Sequence, residues 1–181
     1  MAILKFEGIG ISAMAAAVPN HVIENLKYTD YFPIEQVKEV VDKVGVIERR
    51  FADVDTCSSD LCFAAAQKLF YDNNIDRSEI DLLVFISQTQ DYRMPATACT
   101  LQHRLGLSSS CIAFDINLGC SAFIYGISVV YSMIHGGAIR KALILDGETR
   151  SKVYGPRVRR SAFIFGDGGI AALVEKNPKY G

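Results

Sequence analysis

Between residues 121 and 134 the chain runs Ser-Ala-Phe-Ile-Tyr-Gly-Ile-Ser-Val-Val-Tyr-Ser-Met-Ile without one charged side chain. At helical spacing, Phe123, Ile124, Ile127, Val130, Tyr131 and Ile134 surround it almost completely. A surface helix keeps a polar face, whereas a helix that is apolar all round is buried all round. One sheet with a single helical layer on each face would leave the outer side of this helix wet. A further element has to cover it, either a second domain or another subunit.

Immediately before this helix stands Asp115-Ile116-Asn117-Leu118-Gly119-Cys120. It places one cysteine between a short apolar strand (111–116) and the helix (121–135). At a sharp strand-to-helix turn a side chain stands where the first helical turn presents its unpaired N–H groups. The positive end of the helix favours thiolate over thiol. A thiolate beside ready-made donors can attack a thioester and have the resulting oxyanion held. Cys120 is therefore the candidate nucleophile, and acyl transfer the chemistry it suits. The other four cysteines, Cys57, Cys62, Cys99 and Cys111, read as small hydrophobes away from any comparable helix start. Their odd total and spacing give no disulfide framework, and no histidine cluster completes a metal site.

Half of the residues are hydrophobic and 22% are charged, with a net charge of −1. This composition fits a globular protein and recruits neither nucleic acid nor an anionic membrane surface. The N-terminus is too charged for a signal peptide, and no apolar run reaches membrane-spanning length. A soluble, cytoplasmic protein is the expectation. The pattern predicts a strand over 6–18, a helix over 34–43 opened by Pro33 and ended by Gly45, and a short strand over 46–51. A helix over 58–73 follows, capped by Asp55 or Thr56, then a buried strand over 82–87 and a helix over 96–105 stopped by Gly106. Beyond the uncharged helix come a buried strand over 141–146 and a strand pair over 162–174, bent at Gly166-Asp167-Gly168-Gly169. Because no helix follows, these glycines read as a turn or bulge between strands rather than a phosphate loop. Alternating helices and buried strands predict a three-layer α/β fold with a mostly parallel sheet. Asp115 and Asn117 are expected to satisfy backbone groups.

Several motifs, in this order, resemble the ketoacyl-ACP synthase III family of thiolase-fold condensing enzymes. They are Gly45-Val46-Ile47-Glu48-Arg49-Arg50, Asp60-Leu61, Pro95-Ala96-Thr97-Ala98-Cys99, Phe114-Asp115-Ile116-Asn117, the Cys120 turn, and Phe165-Gly166-Asp167-Gly168-Gly169. The resemblance implies one half of a two-part fold. Residues 1–181 form the N-terminal thiolase-like domain, a five-stranded mixed sheet between helices, and a second half would cover the uncharged helix. It also implies a 3-oxoacyl-ACP synthase III activity that opens fatty acid biosynthesis. Cys120 takes an acyl group from a CoA or acyl-carrier-protein thioester and condenses it with malonyl-ACP, with decarboxylation. No cofactor is implied, and the expected partners are acyl carrier protein, acyl-CoA and a second copy in a homodimer. The family's catalytic histidine and asparagine belong to the second half. His135, fifteen helical residues beyond Cys120, would lie about 22 Å away along the axis.

Two further residues carry implied roles. Arg159, within the basic run Lys152, Arg157, Arg159 and Arg160, matches an arginine that packs on the adenine of CoA. The tryptophan opposite it in the family corresponds to Glu39, and a nearby arginine to Lys43, so an acyl-ACP donor or another CoA mode stays open. Met94 matches a phenylalanine that closes the partner's acyl pocket, with core filler as the alternative; in the family role its flexible thioether implies longer or branched primers. A specialised polyketide, quinolone or glycan-type condensing enzyme and a non-catalytic partner subunit compete with the primary reading. A cysteine hydrolase needs a histidine and an acid within reach of Cys120.

Overall fold

A computed structural model describes residues 3–137, 139–159 and 161–177. Five strands build the main sheet: β1 (Ile9–Ala17), β4 (Leu82–Ile86), β5 (Ile112–Ile116), β6 (Lys141–Thr149) and β7 (Asp167–Lys176). A separate two-stranded ribbon joins β2 (His21–Glu24) to β3 (Glu48–Phe51). The α-helices are α1 (Ile34–Val44), α2 (Ser58–Asn73), α3 (Thr97–Arg104) and α4 (Ala122–His135).

The main sheet runs β1-β7-β6-β4-β5. The β4 strand is parallel to both β5 and β6, while β7 is antiparallel to β6 and β1. The sheet is thus evenly mixed, and the mostly parallel arrangement expected from simple alternation is corrected. The cause lies in the connections: β6 and β7 flank a loop without a crossover helix, and only helical crossovers enforce parallel neighbours. All five residues of β4 are buried, as befits a strand covered on both faces.

Alternate residues of the strands feed two cores. Leu83, Phe85, Leu143, Leu145, Ala171 and Leu173 pack with α2 and α3 on one face. On the other, Leu82, Val84, Ile86, Ala142, Ile144, Ala172 and Val174 meet Ala122, Val130 and Ile134 of α4. This is the three-layer sandwich expected. A third, smaller cluster seats α1 through Val37 and Val41 on Ala162 and Phe163.

Glycines set the distance between layers. A Cβ at Gly169 would fall 2.6 Å from the Cys62 nitrogen and 2.7 Å from the Leu61 carbonyl carbon. Its β6 partner Gly147 would meet the Cys62 sulfur at 2.5 Å. The pair lets α2 lie against the sheet. The expected bend at 166–169 is corrected accordingly: residues 161–164 form turns, and a single strand begins at Asp167. The predicted first strand of that pair fails because Phe163, fully buried, is drawn into the α1 cluster instead.

Two local features differ from expectation. The cap of α2 is Cys57, whose N–H donates to the Asp60 carboxylate at 2.8 Å, rather than Asp55 or Thr56. The strand β2 carries no strong apolar alternation and forms because β3 pairs with it. Behind that ribbon, buried Asn25 donates to the carbonyls of Val46 and Phe163, both at 2.9 Å, and accepts from Arg49 Nε at 2.6 Å. The Arg49 guanidinium lies 5.2 Å from the Tyr28 ring centroid and 4.7 Å from that of Phe51. Within the short strand predicted over 46–51, Arg49 is an interior fastening.

Candidate active site

The parallel strands β4, β5 and β6 end on the same side, with Ile86 in register with both Ile116 and Asp146. In open α/β sheets ligands bind beyond the carboxyl ends of such strands. A cavity of about 460 Å3 opens there. Gln88 enters it from the segment after β4, and Leu118, Gly119, Cys120 and Phe123 from the turn after β5. Asp146 and Glu148 come from β6, followed by Arg150, Tyr154 and Phe165.

Cys120 is exposed and stands two residues before the first residue of α4. The turn is fixed by backbone bonds from Ala122 N–H to the Gly119 carbonyl at 2.8 Å and from Tyr125 N–H to the Ser121 carbonyl at 3.1 Å. Gly119 keeps the turn narrow: a Cβ there would already touch the Gln88 amide at 3.4 Å. Gly126 brings the same helix close to the sheet, where a Cβ would meet Ile86 Cδ1 at 2.5 Å. The strand-to-helix position expected for Cys120 is therefore present, with the thiol open to a ligand.

The other cysteines divide. Cys62 and Cys111 are buried, and burial pushes both thiols up, that of Cys111 to about 11. Cys57 and Cys99 depart from the buried-hydrophobe expectation. Cys99 is exposed in the first turn of α3, and Cys57 caps α2. Partial burial raises the Cys57 thiol, helped by the Asp91 and Asp60 carboxylates. A helix start therefore does not by itself activate a cysteine.

The carboxylates of the cavity differ sharply. Glu148 is fully engaged, accepting from the Gln88 N–H and from Thr89 Oγ1, each at 2.7 Å. The Asp146 side chain, in contrast, makes no hydrogen bond among the described residues. Burial, then the adjacent Glu148 carboxylate, pushes its carboxyl up to about 6. Arg150 donates to the Tyr154 hydroxyl and lies 4.4 Å from that ring's centroid, while Tyr154 stacks on Phe165 at 5.2 Å. Sequence reasoning missed this polar wall. The available signal was Asp146 and Glu148 at alternate positions where an otherwise buried strand runs on. Asp115 behaves as expected, accepting from the Thr97 and Ala98 N–H groups at 2.7 Å. Asn117 is exposed and makes no side-chain hydrogen bond among the described residues.

The remaining predicted residues lie apart from Cys120. Arg159 lines a different cavity of about 480 Å3 with Glu39, Val40, Lys43, Val44 and Ile164. Its guanidinium pairs with Glu39 at 3.2 Å, and Glu39 pairs with Lys43 at 2.7 Å. Those two cations, Lys43 foremost, hold the Glu39 carboxyl below its ordinary range. Lys152 donates to the carbonyls of Val54 and Thr56, and Arg157 lies over Tyr31, so the basic run does not gather on one ligand. Arg160 lies outside the described residues. Met94 is 90% exposed, which overturns the core-filler reading, and it does not line the Cys120 cavity. None of His21, His103 and His135 lines it either. Among the described residues no cluster of His, Cys, Asp or Glu is suited to hold a metal ion, and no helix is long and apolar enough to cross a membrane.

A sequence model of the 3-oxoacyl-[acyl-carrier-protein] synthase III family matches residues 114–181, a span that includes the Cys120 turn. A beta-ketoacyl-[acyl-carrier-protein] synthase III of Fusobacterium nucleatum is 34% identical over 93% of this chain and 51% of its own length. The crystal structure of a 3-oxoacyl-(acyl-carrier protein) synthase from Burkholderia xenovorans superposes with a TM-score of 0.93 and 38% identity, over 96% of this chain and 50% of that one. OleA of Xanthomonas campestris gives 0.80 and 29%, over 94% of this chain and 56% of its own. The chain spans about half the length of the relatives it matches. With its mixed five-stranded sheet, its layered helices and the cysteine turn in place, the chain belongs to the 3-oxoacyl-[acyl-carrier-protein] synthase III family and has the thiolase-like fold.

Proposed function

We propose that Cys120 is the acyl-accepting nucleophile of a 3-oxoacyl-ACP synthase III-type condensing enzyme. The observation that carries this reading is an accessible thiol at the start of α4, in the cavity beyond the parallel strands. The thiolate attacks the carbonyl carbon of an acyl thioester, the tetrahedral intermediate collapses, and the donor thiol leaves. Malonyl-ACP then loses carbon dioxide, and its carbanion attacks the acyl-enzyme. The acyl carrier protein is thus the partner in the second step. None of the described histidines lines the cavity; by the family resemblance, the enolate-stabilising groups belong to a second thiolase-like half. The exposed outer face of α4, with Ile124 at 65% and Tyr125 at 59% exposure, is the surface such a half would cover.

The Glu39–Arg159 pair bears on the acyl donor. A carboxylate held between Lys43 and Arg159 stands where the resemblance places an aromatic ring against a CoA adenine, and it offers no ring to stack. This supports acyl-ACP as the donor over CoA. Incubating the protein with acyl-CoA or acyl-ACP and reading intact mass tests both points. A stable adduct that is lost in Cys120→Ala, and formed faster from acyl-ACP, is expected. Turnover to free acid without an adduct indicates a hydrolase instead, and no adduct from either donor leaves a non-catalytic subunit as the reading.

A further inference from the structure

The Cys120 cavity has one carboxyl that its surroundings leave unanswered. Along β6, Ala142 and Ile144 point into the core beneath α4, and Asp146 is the next residue of that row. Its cross-strand neighbours are Ile86 on β4 and Ile170 on β7. A third aliphatic side chain would satisfy this position. Asp146 is half-buried, so its carboxyl keeps water on the cavity side alone, and an occupant that displaces this water without offering a donor makes the group costly to cover. Among the described residues, no donor reaches the Asp146 carboxyl and no cation pairs with it.

The groups around it confirm that it is unengaged. Glu148, two residues along the same face, is occupied by the Gln88 N–H and Thr89 Oγ1. Arg150 is turned to Tyr154 and Phe165. Cys62 approaches from α2 on the opposite face, and its buried thiol stays protonated. Cys120, at the start of α4, shares the cavity. A local break in an apolar pattern without an internal partner is expected at functional sites.

We propose that the acyl group received by Cys120 carries a hydrogen-bond donor, a hydroxyl or an amino group, that the Asp146 carboxyl accepts. The proposal rests on Cys120 being the nucleophile and names the class of substrate that this site selects. A plain alkyl chain in this cavity strips water from the carboxyl and returns nothing. A chain with a donor replaces the lost water, and a site built to hydrogen-bond a substrate group rejects the analogue that lacks it. The aromatic wall of Phe123, Tyr154 and Phe165 supplies the apolar contact for the rest of the chain.

The test uses N-acetylcysteamine thioesters, which remove the question of CoA against carrier protein. Butyryl, 3-hydroxybutyryl and 3-aminobutyryl thioesters are each incubated with the protein, and the rate of mass addition at Cys120 is followed. One or both donor-bearing chains should react roughly ten- to a hundredfold faster than butyryl, the range for a hydrogen bond to a charged group. Which one leads identifies the donor. Asp146→Leu should reverse the order in favour of butyryl. The nearly isosteric Asp146→Asn, which keeps a carbonyl acceptor, should retain part of any hydroxyl preference and lose any amino preference. Equal rates in the wild type, or the same ratio in Asp146→Leu, overturn the proposal while leaving the nucleophile intact. No adduct from any thioester overturns the nucleophile assignment, and the substrate class with it.

Discussion

Asp146 also leaves a signature in stability. Its carboxyl titrates at about 6 in the folded protein, against about 3.9 for an ordinary aspartate. The folded state therefore binds this proton more tightly than the unfolded one, so stability falls as pH rises from about 4 through 6. Asp146→Asn, neutral throughout, should flatten that slope and raise the urea midpoint at pH 7.5; a slope equal to that of the wild type argues against it. Asp167 illustrates the opposite case, a carboxylate that is fully used. It is buried, accepts from Ala52 N–H at 2.7 Å and Ser151 N–H at 2.9 Å, and also takes the Ser151 hydroxyl. Asp167→Ala strands those donors and should cost about 3 kcal/mol in urea unfolding, within the range for buried groups left unpartnered. At this scale the site was only partly legible. Cys120 could be found because a strand, a glycine and an uncharged helix bracket it. Asp146 could not, because a charge near the end of a strand usually reads as solvent-facing until register and layer cover are known.

Elements were legible where local chemistry decides and illegible where distant packing does. The helix over 58–73 has its observed bounds because its apolar spacing and flanking residues agree. Its cap was misread because Cys57 is held by an aspartate one turn on, not by its own side chain alone. The glycine run at 166–169 was misread for a different reason. A glycine that makes a turn and a glycine that admits a helix look alike in sequence, and only the α2 contact separates them. The two roles predict different penalties. Gly169→Ala drives a methyl group into the α2 backbone, which cannot withdraw as a flexible side chain would, and should destabilise by about 1–3 kcal/mol. Gly45 has φ of 75° with nothing within 4 Å of an added Cβ. Gly45→Ala should therefore cost only the left-handed backbone strain, roughly 1 kcal/mol. Thermal unfolding of the two variants separates them: equal losses would mean that α2 shifts to accommodate the methyl.

At the scale of the whole molecule, α4 ties fold to function. Its inner row, Ala122, Gly126, Val130 and Ile134, recurs every four residues and is buried on the sheet. Its outer row keeps Ile124, Tyr125 and Val129 in contact with water. Sequence alone foretold this imbalance, since no polar face exists to turn outward. The serines Ser128 and Ser132 do not supply one, because each hydroxyl is turned back to a carbonyl four residues earlier. A contiguous apolar face of this kind associates with whatever apolar surface is offered. The protein should therefore self-associate with rising concentration when nothing covers α4. Ile124→Glu tests this with little risk to folding, because the side chain is already largely exposed and an acid suits the first turn of a helix. The variant should sediment as a smaller species at equal concentration, with unfolding free energy changed by no more than about 0.5 kcal/mol. A wild type that stays monomeric across the accessible range would show that the outer face of α4 needs no cover.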